Sequence, residues 1–550
     1  MRLLTITLVL LIALTVGAQV GNEGAVEGTV LDPSRAAIPG ATITIRNLRT
    51  GGSFACMTND EGLFRFLVLP TGEYEVTAER VGFAKAIHQG VKLMPGGRVF
   101  LNVQLQVGAQ QESISVSDKP PLVELTRSAV SSGLDAQAIA NLPVNGRNFV
   151  DFVVLTPGVV RGPGGLARFG GQNFGDGIQA DGASNNNPLS GQNFVAVPYQ
   201  ISLSAIDEFQ VNTSGYPAEL GRVGTGVVNV VTKSGTNEFH GSASWYFRDK
   251  GLNATDPVRK FNGISKEPLH VHQFGAQFGG PLHKDKIFFV AAYDGQRRNL
   301  GNGAFLSLPA GFQLSSNATT AVFQQRALDY LVPRASPYVQ TNNEDSYFAR
   351  VDWHLTPTQI FATRWNSARV TNLNGSNNGP QNSLEHTGTA FVSNDSLALS
   401  LTSVISSTAV NVARFNYLGN ANSSDANTPN PQANIFEAGQ LVLTIGRPVN
   451  GPQSNSFHQT QWSDTISLSR GRHALKFGAQ VILTSATNLV VRNFFGNYRF
   501  NSLASFGRSL AGTPLPQAGE NYVQGFSGLG EPGITSHPDS HDFEIGRAHV

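Results

Sequence analysis

From Phe239 onward the chain alternates apolar and polar residues in segments about ten long, and no other feature constrains its fold so strongly. In HALKFGAQVIL, Leu475, Phe477, Ala479, Val481 and Leu483 share one face, and Ala474, Lys476, Gly478 and Gln480 share the other. In SYFARVDWHL, Tyr347, Ala349, Val351, Trp353 and Leu355 oppose Arg350, Asp352 and His354. A period of two means strands. Lys or Arg facing lipid at a bilayer midplane costs about 2–4 kcal/mol, so the charged faces are expected to point into a lumen. Connections alternate in length as well. Short turns at 279–285, 355–359, 405–409 and 469–473 face long Asn-, Ser- and Gly-rich stretches at 298–345, 370–388 and 419–456, as in membrane β-barrels. About ten strands are expected up to Phe500.

Composition fits strands in a bilayer better than a soluble core. Charged residues are 14% of the 550, against roughly 25% in ordinary soluble domains, and Gly reaches 59. The net charge of +1 carries no footprint for nucleic acid, and the single cysteine, Cys56, excludes a disulfide scaffold. Residues Met1 to Gln19, MRLLTITLVLLIALTVGAQ, read as a secretory signal peptide cleaved after Ala18. No cysteine follows that site, so a lipid anchor is not expected. After Val20 no second apolar run is long enough to cross a bilayer as a helix, so any crossing must use strands.

Between Ala25 and Leu105, short alternating runs separated by Gly and Pro turns predict a sandwich of two antiparallel sheets: AVEGTVLD, TITIRNL, a strand ending at Met57, LFRFLVL, EYEVTAE and GRVFLNVQL. The segment resembles the carboxypeptidase regulatory-like domain, a transthyretin-like module with a carbohydrate-binding-like fold. The resemblance rests on Gly28, Val30, Asp32, Pro39, Gly40 and Ala41, on Asp60, Glu61, Gly62 and Phe64, on Leu69, Pro70, Gly72, Tyr74 and Val76, and on Gly82 and Phe83. His88 is the only histidine here, so the three ligands of a catalytic zinc are missing and the module is expected to be non-catalytic. Sugar binding is what the resemblance leaves open.

The next segment, 108–121, ends in Pro120 and Pro121. Within it Glu112, Ser113, Ile114, Ser115, Val116 and Ser117 alternate in a way that suits β-augmentation, although composition alone also fits a plain linker. Beyond it lie LPVNGRNF (142–149), VVLTPGVV (153–160), GGQNFGDGIQADGASNNN (170–187), AIDEFQVNTSGYPAELGRVGTGVVNVVTKSG (205–235) and FHG (239–241). These blocks resemble the plug of TonB-dependent outer-membrane receptors, in the Oar-like variant that carries a regulatory-like module. The plug-motif residues are Arg147, Asp181, Gly182, Glu219, Arg222 and Lys233. With a plug behind it, the 112–117 segment resembles a Ton box, the peptide that a TonB-type energising protein grips in the periplasm.

The resemblance implies an all-β protein. Its parts are a signal peptide (1–18), a regulatory-like sandwich (24–107), a linker with the Ton box (108–121), a plug (122–236) and a partial outer-membrane barrel (237–543). Ten strands cannot close around a plug of this size, since plugged barrels have about 22, so the chain is expected to lack C-terminal strands. Residues 544–550, EIGRAHV, are expected to be a non-native tail, being the translation of the start of a common short-read sequencing adapter; resequencing the locus tests this. GRVGTG (221–226) lacks the spacing of a phosphate-binding loop. His270, His272 and His283 are conceivable ligands but read better as interfacial barrel residues, and HDFE at 541–544 is no zinc site. With no HExxH, GxSxG or P-loop, neither catalysis nor a cofactor is expected. The implied function is import of a bulky substrate, a siderophore, oligosaccharide or peptide. The alternative is an Oar-like surface or adhesion protein without transport.

Overall fold

In the computed structural model the described residues are 23–108, 113–116, 130–142, 149–161, 167–169, 176–184, 201–214, 226–255, 257, 260, 266–471, 473–490, 495–513 and 522–525. The leader at 1–18, Glu112, Ser117, Arg147, Glu219, Arg222 and the tail at 544–550 lie outside them.

The first strands are β1 (Glu23–Leu31), β2 (Thr42–Asn47), β3 (Ser53–Met57), β4 (Leu63–Pro70), β5 (Gly72–Glu79), β6 (Lys85–Leu93), β7 (Arg98–Gln104) and β8 (Ser113–Val116). They form two sheets, ordered β4-β1-β7 and β3-β2-β5-β6-β8. Every second residue of β1 is buried, and Val26 and Val30 meet Ile43, Ile45, Phe64, Tyr74, Val76 and Leu101 in one core. Cys56 lies in that core, where burial pushes its thiol up to about 11, so it is a packing residue rather than a nucleophile.

The expectation of purely antiparallel sheets is corrected. β7 runs parallel to β1 because the chain changes sheets after β6, and β8 runs parallel to β6. The sequence reading also passed over β6. Its KAIHQGVKL breaks strict alternation at Gly90, which takes a positive φ of 74°, and its pairing with β5 shifts register there. Gly28 sits where β1 and β7 approach so closely that a Cβ would collide with the Leu101 carbonyl oxygen. Gly28→Ala is therefore expected to unfold the sandwich selectively. Limited proteolysis between residues 23 and 104 checks this, since backbone has nowhere to retreat.

A central unit follows. It comprises β9 (Val130–Asp135), α1 (Ala136–Asn141), α2 (Phe149–Val153), β10 (Val159–Arg161), β11 (Ala167–Phe169), β12 (Asp176–Ala180), β13 (Ala183–Ser184), β14 (Ile206–Ser214) and β15 (Gly226–Thr232). Its main sheet runs β13-β12-β15-β14-β9. Every residue of β15, GVVNVVT, is buried, as a continuous apolar strand covered on both faces should be. Its core includes Phe152, Ile178, Phe209, Val211, Val228 and Val230, and it is completed by Leu418 and Phe457 from the barrel wall.

That wall begins with β16 (His240–Asp249), β17 (Leu269–His283), β18 (Ile287–Asn302), β19 (Tyr338–Thr356), β20 (Gln359–Ser376), β21 (Gly388–Ser406) and β22 (Ala409–Ala426). A hairpin of β23 (Gln432–Glu437) and β24 (Gln440–Ile445) intervenes before β25 (Gln453–Arg470) and β26 (His473–Val490). All but the hairpin form one antiparallel sheet, β16-β17-β18-β19-β20-β21-β22-β25-β26. Facing read from alternation holds for SYFARVDWHL in β19, whereas the edge strand β26 is exposed on both faces over its first residues. Arg350, Asp352, Arg364, Asn366, Arg414, Asn416 and Gln461 are buried or nearly so on the inner face, while Tyr347, Trp353, Trp365, Trp462, Phe477 and Leu483 are exposed on the outer one.

The strand count and the loops need correction. Among the described residues the wall has nine strands, and the segment ending at Phe500, β27 (Asn497–Phe500), pairs with β23 instead. Strands also extend well into the stretches read as loops: β18 reaches Asn302 and β19 starts at Tyr338. What remains is folded. β24, β23, β27 and β28 (Tyr522–Gly525) make a sheet, and α3 (Ala318–Leu331) and α4 (Leu503–Leu510) belong to the same cap. Leu331, Ile435, Leu443, Phe500 and Phe506 form its core. Scattered short apolar runs from three distant segments carry no joint periodicity, so this cap was invisible in the sequence.

Candidate functional site at the junction of three units

Asp181 and Gly182 form the two-residue turn between β12 and β13, with φ of 50° and 76°. A tight hairpin needs positive φ at both positions, which is why Asp-Gly occupies them. The turn presents the Asp181 carboxylate to the inner wall. It accepts from the Thr232 amide (3.0 Å) and hydroxyl (2.7 Å), and ion-pairs with Arg364 (3.0 Å) and Arg350 (3.5 Å). Those arginines stand directly opposite each other across β19 and β20. Like charges so placed repel, and Asp181 between them, with Asp352 on Arg350 at 2.8 Å, neutralises the pair. Burial opposes ionisation of Asp181, but Arg364, Arg350 and the Thr232 donors outweigh it and hold the carboxyl below its usual range.

A second clamp joins the units through Asp294 of β18. It accepts from the Ser202 hydroxyl, the Ser204 amide (2.9 Å) and the Ser204 hydroxyl (2.6 Å). Gly275, across the ladder, leaves it room, since a Cβ there would strike the Asp294 carboxylate. Lys233 donates to the Ser204 carbonyl (2.8 Å), and burial lowers its pKa against the pull of Asp207 and Asp294. The Ser184 backbone amide donates a hydrogen bond to Gln461 Oε1 (3.1 Å).

The sandwich docks at the short-turn end. Arg49 pairs with Asp207 (3.1 Å) and Lys92 with Asp135 (3.2 Å), both on the central unit. Glu23 meets Arg414 (2.5 Å) and Arg65 donates to the Gly471 carbonyl (3.0 Å), both on the wall. The three units enclose a cavity of about 130 Å³, lined among others by Arg49, Tyr74, Asp181, Thr232, Arg364 and Arg414. Glu208 lies near these clamps. Burial, then Asp207, pushes its carboxyl up to about 7.

Of the sequence-named site residues, Asp181, Gly182 and Lys233 come together at this junction, within one unit-to-wall interface. Ser113, Ile114, Ser115 and Val116 form β8, on the far edge of the sandwich sheet. The sequence reading missed Asp294, Ser202, Ser204 and Arg364; for Arg364 the inward parity of its strand was the available signal. The histidines do not converge. His270 bonds Asp249 (2.6 Å), His272 stacks on Trp245, and His283 stands at the opposite end of β17. Among the described residues no cluster of His, Cys, Asp and Glu has the makings of a metal site. The arrangement is a set of breakable polar locks between folded bodies.

Comparison with known proteins agrees with this architecture. Residues 231–340 and 333–529 match the outer membrane beta barrel domain, and 25–106 match the carboxypeptidase regulatory-like domain. The chain belongs to the outer-membrane β-barrel family and resides in the outer membrane. It is homologous to the TonB-dependent transporter Oar of Myxococcus xanthus, 28% identical over 289 residues that make up 50% of this chain and 27% of that protein. The chain thus spans about a quarter of that relative. The outer membrane transporter YddB of Escherichia coli shares the fold, with a TM-score of 0.50 at 14% identity over 72% of this chain and 52% of that one. The siderophore receptor PirA of Acinetobacter baumannii aligns at a TM-score of 0.45 and 16% identity, over 64% and 48%.

Proposed function

We propose that the protein is a TonB-dependent importer in which the central unit is the plug, and β8 the Ton box gripped by a TonB-type protein in the periplasm. The observation that carries this reading is the seating of the central unit. It is a separately folded sheet fixed to the inner wall by Asp181 and Asp294 through polar contacts that a pull can break and that re-form without refolding. A purely structural filling would be expected to fuse its apolar core with the wall, whereas among the described residues the buried apolar contact between them is limited to Leu418 and Phe457 on that core and to Val290, Ala292 and Phe348 around Ala205. The substrate is a bulky solute held at the outer side, a siderophore, oligosaccharide or peptide.

Deleting Ser113–Val116 tests the reading. Binding of the purified periplasmic domain of the TonB-type protein to the detergent-solubilised chain is expected to fall more than about 100-fold, as strand addition supplies the main-chain bonds. Unchanged binding overturns it and favours the surface-protein alternative, whose adhesion would survive the deletion.

A further inference from the structure

Two features of the sandwich meet at the periplasmic end. The first is that it covers the inner wall there. Leu67 and Val68 pack on Val404, Val410 and Val412, and Glu23 and Arg65 are tied to Arg414 and Gly471. Asn237 further donates to the Thr50 carbonyl (2.9 Å). The second feature is the place of β8. It is zipped in parallel to β6 with Ser113 beside Lys85, Ile114 beside Ala86, Ser115 beside Ile87 and Val116 beside His88. It is also the last strand of its sheet, so its outer edge has no strand partner among the described residues.

We propose that the sandwich is a second stopper drawn by the same handle as the plug. The inference rests on β8 being the strand that the energising protein grips. A strand's donors and acceptors alternate between its two edges, so a partner strand added outside β8 leaves the bonds facing β6 untouched. The sheet grows by one strand, and tension on β8 passes directly into the sandwich. Its contacts with the wall are a few ion pairs and hydrogen bonds around a small aliphatic cluster, so it lifts from the barrel mouth as a body.

Reporter cysteines in a Cys56→Ala background test this in whole cells. Val412→Cys lies under the sandwich, and Ala292→Cys lies under the central unit; both native side chains are buried. Maleimide labelling of Val412→Cys is expected to be at least tenfold faster in energised cells than in cells given a protonophore. The rise is expected to persist when β8 is tied to β6 by a Lys85→Cys/Ser113→Cys disulfide. Labelling that rises at Ala292→Cys alone overturns the proposal and leaves the transport reading standing. No rise at either position overturns both. Loss of the Val412→Cys response in the tied chain shows that β8 leaves β6 and overturns it as well.

Discussion

Asp181→Asn is expected to loosen the central unit from the barrel wall by about 3 kcal/mol, the lower end of the cost of breaking a buried ion pair. Asparagine tolerates the positive φ of this turn, so the hairpin survives and only the charge is removed. Arg350 keeps Asp352 as its counter-ion. Arg364, whose side chain is 4% exposed, loses its ion-pair partner. Urea-dependent proteolysis of the central unit in the detergent-solubilised protein measures the effect: cleavage should begin at lower urea than in wild type. Pairing the change with Arg364→Met should recover much of the loss, because the stranded charge is then gone. If the double variant is as labile as the sum of the singles, Asp181 and Arg364 are not coupled and the lock is assigned wrongly.

The second large effect is a pH dependence. Glu208 titrates near 7 in the folded protein against 4.5 ordinarily, because burial and then Asp207 disfavour its charge, with Asp135 adding and Lys92 and Arg49 relieving. A raised acid pKa means that the folded state holds the proton more tightly. Its contribution is therefore most favourable below pH 4.5, declines as pH rises towards 7, and is flat above, a loss of about 3 kcal/mol across that window. Glu208→Gln should remove this slope and leave the central unit more stable than wild type at pH 8. Equal slopes in wild type and variant between pH 5 and 7 would sink the assignment. The neighbouring clamps, Arg49–Asp207 and Lys92–Asp135, are partly exposed and contribute at most about 1 kcal/mol each.

How much of this was legible in advance depended on the range of the signal. Inward and outward faces were readable, because alternation is local and a charge in lipid is costly. Arg350 and Trp353 lie where their parity placed them. Asp181 and Gly182 were marked by resemblance, and their turn chemistry is local. The partner of that turn was not readable, since Arg364 is 183 residues away and nothing in its own neighbourhood distinguishes it from other inward residues. Asp294 was hidden for the same reason: the serines that donate to it lie 90 and 92 residues upstream.

The sequence by itself determined a strand-built chain with one lipid-facing surface, a sandwich ahead of it and a glycine-rich unit between. It did so because hydrophobic period, turn chemistry and the cost of charge in a bilayer act over a few residues. Only the tertiary structure decided that three polar segments fold into one cap, that β8 is held on β6, and that an aspartate from one unit bridges two arginines of another. Those outcomes depend on which surfaces meet, and meeting is decided by burial, strand pairing and charge pairing between residues that are not neighbours in the chain.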